Sequence, residues 1–266
     1  MPELPEVETV VRTLASRVAG SFIHAVSHVR HDMVTPAQFD IALALTGRSV
    51  LRVTRRAKRI VFTLDTQERF YIHLGMTGRL TIEAPDAPLR KHTHLILDLG
   101  DTLQIRLVDP RRFGAIVWLG LTDHARIGPE PLLLSPKQFA ARLARTRRAI
   151  KTALLDQTVV AGVGNIYADE ALHRARIHPS TPACALTDAQ TRALNRALKF
   201  VLNRAIKAGG SSIRDYVNAA GERGAFQMQH AVYDRACEPC RTCRETIVRI
   251  VLGGRSTHYC PKCQSQ

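Results

Sequence analysis

Acidic residues are scarce in this 266-residue chain. Asp and Glu together number 23 against 38 Lys and Arg, which leaves a formal net charge of +15 and a pI near 10.3. Ordinary soluble enzymes rarely carry that imbalance. It points to a polyanionic partner, nucleic acid first and an anionic membrane second. Long apolar runs are missing too. The longest, Phe113–Leu121, has nine residues, far short of the roughly 20 that a spanning helix needs. The N-terminus lacks the basic-then-apolar order of a signal peptide and carries Glu3, Glu6 and Glu8 instead. A cytoplasmic protein is expected, without a membrane partner. Cysteine is nearly absent until the end, where five of the six fall in the last thirty residues. That excludes a secreted disulfide scaffold and suggests metal ligands. Internal repeats and low-complexity tracts are absent.

What is present can fold. At 45% hydrophobic and 23% charged the chain is neither disordered nor fibrous, and its length suggests about two domains. Residues 5–19 read as a helix: Pro5 suits the first helical position, and Val7, Val10, Val11, Leu14 and Val18 recur at helical spacing before Gly20. Residues 21–29 and 48–120 read mainly as strands. The segments are Val50–Val53, Ile60–Leu64, Phe70–Leu74, Leu80–Ile82, His94–Leu99, Thr102–Val108 and Gly114–Leu119. A hairpin is expected at Leu99-Gly100-Asp101 and a helix near Pro36–Leu45. The pattern changes near Gly128-Pro129-Glu130-Pro131. Helices then follow at Pro136–Asp156, Gly164–Ala175 and Asp188–Ala208, and residues 211–236 read as a mobile loop.

Cys240-x2-Cys243-x16-Cys260-x2-Cys263 is the most specific metal signal. Two Cys-x2-Cys knuckles let four thiolates converge on one Zn²⁺, and the spacer accommodates a β-hairpin. Thr246–Leu252 and Ser256–Tyr259 would be its strands, with Gly253-Gly254 as the turn. Unliganded structural cysteines are the competing reading and fit this spacing poorly. Four thiolates leave no open coordination position, so one structural zinc is expected. Cys237 is read as a spectator. Arg255, at the hairpin tip, suits a phosphate at least as well as bulk water on so basic a chain.

Residues 135–151 hold Lys137, Arg142, Arg145, Arg147, Arg148 and Lys151 without an acid, and read as a phosphate-facing surface rather than a solvated face. Gly162-Val163-Gly164-Asn165 precedes a helix whose first N–H groups would bind an anion, with Asn165 as the cap. At the other end of the chain, removal of Met1 would expose the secondary amine of Pro2. Terminal amines titrate at about 7.7–8.0, so part of it is neutral near pH 7. Attack on an aldehyde-like carbon gives an iminium, an electron sink for elimination. Glu3 would move protons, and Glu6, one helical turn on, would face the same pocket.

These motifs together resemble the bacterial formamidopyrimidine-DNA glycosylase family. The resemblance rests on Pro2-Glu3-Leu4-Pro5-Glu6-Val7-Glu8, Arg55-Arg56-Ala57-Lys58, His73-Leu74-Gly75-Met76-Thr77-Gly78, Asp109-Pro110-Arg111-Arg112-Phe113-Gly114, Gly162–Ala168 and the finger closing on Arg255-Ser256-Thr257-His258-Tyr259-Cys260. It implies an α+β multidomain protein. Residues 1–130 would form an N-terminal β-sandwich with a leading helix. Residues 131–236 would form a helix-two-turn-helix domain with a mobile loop, and 237–266 a zinc finger. It further implies excision of oxidised purines from double-stranded DNA by a monomer, through a Pro2 Schiff base, followed by β,δ-elimination at the abasic site. Glu3, Lys58 and Arg255 would join Pro2 in catalysis. Met76, Arg111 and Phe113 would fill the gap left by the flipped base, while His92, Arg147 and Asn165 would contact phosphates. The alternatives are an endonuclease VIII-like glycosylase for oxidised pyrimidines, disfavoured by Leu4 and Val7, and a non-catalytic damaged-DNA-binding protein, disfavoured by Pro2, Glu3 and Lys58.

Overall fold

The computed structural model describes residues 1–123, 126–213 and 215–265. The chain divides into two compact units. One comprises Met1–Ala125 and Ala208–Ala225, the other Arg126–Lys207 and Phe226–Gln266.

The first unit begins with α1 (Leu4–Val18), whose buried stripe Val7, Val10, Val11, Leu14 and Val18 is the one its spacing predicts. Then come β1 (Ala25–Ser27), β2 (Val34–Thr35), α2 (Ile41–Leu45), β3 (Val50–Arg56), β4 (Arg59–Leu64), β5 (Arg69–His73), β6 (Arg79–Glu83), β7 (Thr93–Asp98), β8 (Gln104–Val108) and β9 (Ala115–Gly120). They form a four-stranded sheet, β1-β7-β8-β6, and a five-stranded sheet, β2-β9-β5-β4-β3. One apolar core joins both sheets and α1, through Leu80, Leu97 and Leu107 of the first and Phe62, Phe70 and Ile116 of the second. The β7–β8 hairpin turns through residues 99–103, with Asp98 opposite Gln104. The helix expected near Pro36–Leu45 is shorter. Asp40 accepts the Leu43 N–H at 2.9 Å and starts α2 at Ile41.

The second unit contains α3 (Pro136–Leu143), α4 (Ile150–Leu155), α5 (Asn165–Ala175), α6 (Asp188–Lys207), β10 (Val248–Leu252) and β11 (Arg255–Tyr259). The single helix expected over Pro136–Asp156 is two. The N–H groups of Ile150 and Lys151 are taken by the carbonyls of Thr181 and Pro179, at 2.7 and 3.2 Å. A helix continuing through 144–149 would have claimed those donors itself. The finger strands pair antiparallel from Val248↔Tyr259 to Leu252↔Arg255, around the Gly253-Gly254 turn.

Residues 211–236, expected as one mobile loop, are divided between the units and anchored in each, Arg214 lying outside the described residues. Ser211 N–H donates to Glu6 Oε1 at 2.7 Å, the Tyr216 hydroxyl to the Glu6 carbonyl at 3.1 Å, and Ile82 N–H to the Ala219 carbonyl at 2.8 Å. Tyr216 and Ala219 enter the first core. The N–H groups of Ala231, Val232 and Tyr233 donate to the Glu170 carboxylate at 2.8–2.9 Å in the second unit.

Candidate active site and nucleic-acid surface

In the first unit Pro2 is buried, and Glu3 beside it is only 3% exposed. Glu6 Oε2 accepts the Glu3 backbone N–H at 2.8 Å, the back-reaching half of a capping box. Its Oε1 is engaged by Ser211. Glu6 therefore does not share Glu3's chemistry, as its spacing suggested. It clamps the start of α1 to Ser211, and its carbonyl holds Tyr216. Its charge, with burial foremost, pushes the Tyr216 phenol above its ordinary range.

Lys58 lies in the β3–β4 turn, which Ala57 enters at φ +56°, and is 7% exposed. Arg55 fixes that turn from both sides. Its Nε donates to Glu8 Oε2 at 2.8 Å and its Nη1 to the Ala57 carbonyl at 3.0 Å. Partial burial pushes Glu8 up, but Arg55 and Arg12 outweigh it and hold the carboxyl below its usual value. Burial foremost, then the charges of Lys58 and Arg59, pushes the His73 imidazole below its ordinary value, and its Nδ1 accepts the Gly75 N–H at 3.1 Å.

Asp109, fully buried, is a residue to which the sequence motif alone gave no role. Its Oδ1 accepts the Thr77 hydroxyl at 2.6 Å and the Arg111 N–H at 3.3 Å, and its Oδ2 the Gly114 N–H at 2.8 Å. Its own N–H donates to the His92 carbonyl at 3.0 Å. One residue thus gathers the loops that carry Met76, Arg111 and Phe113 through its carboxylate and the one that carries His92 through its backbone N–H. Gly75 has φ +59°, and a Cβ there would lie 2.3 Å from the Phe113 carbonyl carbon. Only glycine lets the two backbones approach so closely. The result is an exposed apolar pair, Met76 at 42% and Phe113 at 54%, with the Arg111 guanidinium 4.6 Å from the Phe113 ring centroid.

In the second unit two expectations change. Gly164, not Asn165, is the N-cap of α5. Asn165 is the first helical residue, and its Nδ2 donates to the Ser256 carbonyl at 2.9 Å. Lys151 is not a surface cation. It is fully buried, with Nζ 2.7 Å from Asp169 Oδ1, 2.7 Å from the Ser256 carbonyl and 2.8 Å from Thr257 Oγ1. Asp169 Oδ2 accepts the His258 N–H at 2.9 Å. Asn165, Lys151 and Asp169 thus grip three consecutive residues of β11, and Arg255 precedes them, exposed at the tip. Of the other cations, Arg148 pairs with Asp156 at 2.7 Å and Arg142 donates to the Thr158 carbonyl at 3.0 Å. Lys137, Arg145 and Arg147 remain exposed.

Three family models cover nearly the whole chain. They are the formamidopyrimidine-DNA glycosylase N-terminal domain over residues 1–116, its H2TH domain over 127–217, and the zinc finger found in Fpg and isoleucyl-tRNA synthetase over 238–266. The chain belongs to the formamidopyrimidine-DNA glycosylase family. Curated glycosylases of that name from Chloroflexus aurantiacus and Bacillus subtilis are 43% and 42% identical to it, over 99% and 100% of this chain and 98% and 100% of theirs. Two solved complexes of Lactococcus lactis Fpg, one with Fapy-dG DNA and one with abasic-site DNA, each match with a TM-score of 0.92 at 37% identity. They cover 100% and 99% of this chain and all of theirs. The architecture of the formamidopyrimidine-DNA glycosylases is therefore the α+β layout expected: an N-terminal domain, a helix-two-turn-helix domain and a zinc finger.

The glycosylase finger fits a structural zinc. The sulfurs of Cys240, Cys243, Cys260 and Cys263 all lie within 4.8 Å of one another. Burial raises the Cys240 thiol, but N–H groups of Cys243 and Thr242, then His173 and Cys260, bring it down to about 6. Burial and the neighbouring sulfurs push Cys260 and Cys263 up. A divalent cation resolves that conflict by taking all four as thiolates. Cys237 is exposed and outside the cluster.

Proposed function

We propose that this glycosylase removes oxidised purines, such as 8-oxoguanine and formamidopyrimidines, from damaged double-stranded DNA and then cuts the strand at the abasic site. It would act as a monomer, in the cytoplasm at the nucleoid. Among the described residues no helix is long and apolar enough to cross a membrane. The observation that carries the reading is the exposed trio Met76, Arg111 and Phe113, stapled by Asp109 in the unit that also buries Pro2, Glu3 and Lys58. A base inside a duplex is out of reach, so an enzyme that acts on it extrudes it and fills the gap. Two apolar side chains and a cation suit the stack and the orphaned partner base. Exposing that much apolar surface otherwise costs stability and solubility.

The chemistry follows from the N-terminus. Pro2 is joined to Met1 here, so its nitrogen becomes a nucleophile only after Met1 is cut off. The free amine attacks C1′ and the base leaves, taking a proton. The sugar opens as Glu3 protonates its ring oxygen, which leaves an iminium at C1′. Loss of a C2′ proton expels the 3′ phosphate, and a second elimination expels the 5′ phosphate. Lys58 contributes a buried positive charge to that chemistry. His92, Arg147, Asn165 and Arg255 are assigned to phosphates, and zinc serves to hold the finger that carries Arg255. The sequence segments 1–130, 131–236 and 237–266 are assigned to catalysis, DNA binding and phosphate gripping in turn.

Borohydride trapping tests the proposal on duplexes carrying 8-oxoguanine or an oxidised pyrimidine. A trapped adduct favouring 8-oxoguanine is expected from chain lacking Met1, and none from chain with an uncleaved N-terminal tag. Preference for the pyrimidine lesion would move the chain to the endonuclease VIII-like enzymes. Binding without any adduct would leave a damage-binding protein, and an adduct from tagged chain would shift the nucleophile to another amine, Lys58 first.

A further inference from the structure

Helix α5 touches the finger through Asn165, Asp169 and His173, and holds the segment just before it through Glu170. Asp169 and Glu170 accept backbone N–H groups, of His258 and of 231–233. One turn further on, His173 is 8% exposed, and its Nε2 lies 3.5 Å from Cys240 Sγ. Residues three and four apart share a helix face, so His173 continues the surface that Asp169 and Glu170 present.

We propose that His173 donates an Nε2–H hydrogen bond to the zinc-bound Cys240 thiolate and so sets how tightly the finger keeps its metal. The direction of the bond follows from the chemistry of the sulfur. A thiolate bound to zinc carries no proton and can only accept. The hydrogen therefore sits on His173 Nε2. Four thiolates around one Zn²⁺ carry two excess negative charges, and donors to sulfur relieve them. The finger supplies backbone donors of its own, Thr242 N–H to Cys240 Sγ at 3.4 Å and Cys263 N–H to Cys260 Sγ at 3.4 Å. His173 adds a donor from a helix outside the finger. It withdraws charge from the Cys240 sulfur it touches, which makes that sulfur a poorer target for protons and for competing metals. Outer partners of this kind typically change metal affinity by about 10–100-fold.

The experiment uses the full chain loaded with one zinc and no DNA, so its outcome is independent of the glycosylase reading. Zinc transfer to excess chelator is timed for wild type, His173→Phe and His173→Gln. The Phe variant keeps a ring but no N–H, and the Gln variant keeps an N–H near the place of Nε2. Loss about tenfold faster from Phe is expected, with Gln near wild type. Equal rates for all three, or equally fast loss from both variants, would reduce His173 to packing and overturn the proposal. In cobalt-substituted chain the sulfur-to-metal charge-transfer band should shift to lower energy in the Phe variant, because an unbonded thiolate gives up electrons more easily. An unmoved band counts against it. A measurement on the wild-type chain guards against a variant that fails to fold. With ¹¹³Cd in the site, the His173 Nε2–H proton should show scalar coupling to the metal across the hydrogen bond, and absence of that coupling sinks the idea.

Discussion

The wedge loops of the first unit and the finger of the second solve one problem by different means. Each must hold an exposed side chain in a fixed direction. In the first, a single buried carboxylate, Asp109, accepts three donors while Gly75 lets two backbones touch. The loops are short spans between strands of one core, so sheet packing has already met most of the ordering entropy. In the second, the finger's own core is little more than Val232, Ile247 and the cysteines. It needs a metal, and a buried ion pair, Lys151–Asp169, to bind β11 to its support. Where a core exists, one buried carboxylate met by N–H and O–H donors suffices to aim a loop. Where it does not, a metal and a buried pair of opposite charges are needed.

Breaking the metal should separate the two most clearly. Cys243→Ser, or removal of zinc, should unfold residues 237–265 and abolish nicking of an 8-oxoguanine duplex, because binding energy is folding energy in so small a module. Thermal melting of the β-sandwich should hardly change. Cys237→Ser should retain one zinc per chain and normal nicking. Loss of metal from Cys237→Ser with retention in Cys243→Ser would reverse the ligand assignment.

Next in size is the ion pair. Lys151→Met leaves Asp169 charged and buried, and should cost about 3–5 kcal/mol in denaturant unfolding of the second unit. Adding Asp169→Leu removes the stranded charge and should recover most of that stability. Lesion binding should stay weak in both variants, because β11 loses its grip either way. A single variant more stable than the double one would show that the pair is not buried.

Gly75→Ala probes the other region. Alanine at φ +59° with its Cβ against the Phe113 backbone should introduce about 2 kcal/mol of local strain. Excision of 8-oxoguanine in single-turnover assays should fall, while cutting of a preformed abasic site, where no base has to be extruded, should suffer less. Equal losses on both substrates would mean that the wedge does not serve extrusion.

The smallest effects belong to exposed charges. Arg147→Ala should flatten the log–log salt dependence of duplex binding by about 0.9 if Arg147 meets one phosphate. An unchanged slope returns it to the solvated face. Asp156 is held at about 2 by the Thr158 hydroxyl and then Arg148. Its folded pKa is depressed, so its contribution is complete above pH 4 and is lost as pH falls from about 4 towards 2. An acid titration of stability should show Asp156→Asn converging with wild type over that window, the difference at pH 7 staying below about 1 kcal/mol, as for exposed pairs.

Much was legible in the sequence because it is written in local spacing. The stripe of α1, the strands around β7 and β8, the finger hairpin and its four ligands depend on residues close along the chain. Their periods of 3.6 and 2 and the Cys-x2-Cys knuckles follow from backbone geometry. Other properties depended on partners far away in sequence. Lys151 reads as one more surface cation until Asp169 and residues 256–257 close over it, 18 and 105–106 positions on. Glu6 reads as a second acid until Ser211 claims it. The helix through 136–156 reads as continuous until Pro179 and Thr181 take its N–H groups. Asp109 and His173 carry no local signature of their roles, because a buried polar group is defined by what surrounds it. The sequence by itself thus determined most of the elements, the metal set and the residue types of the chemistry. Tertiary structure decided which charges face solvent and which are buried, because desolvation is a property of the packed chain and not of any segment of it.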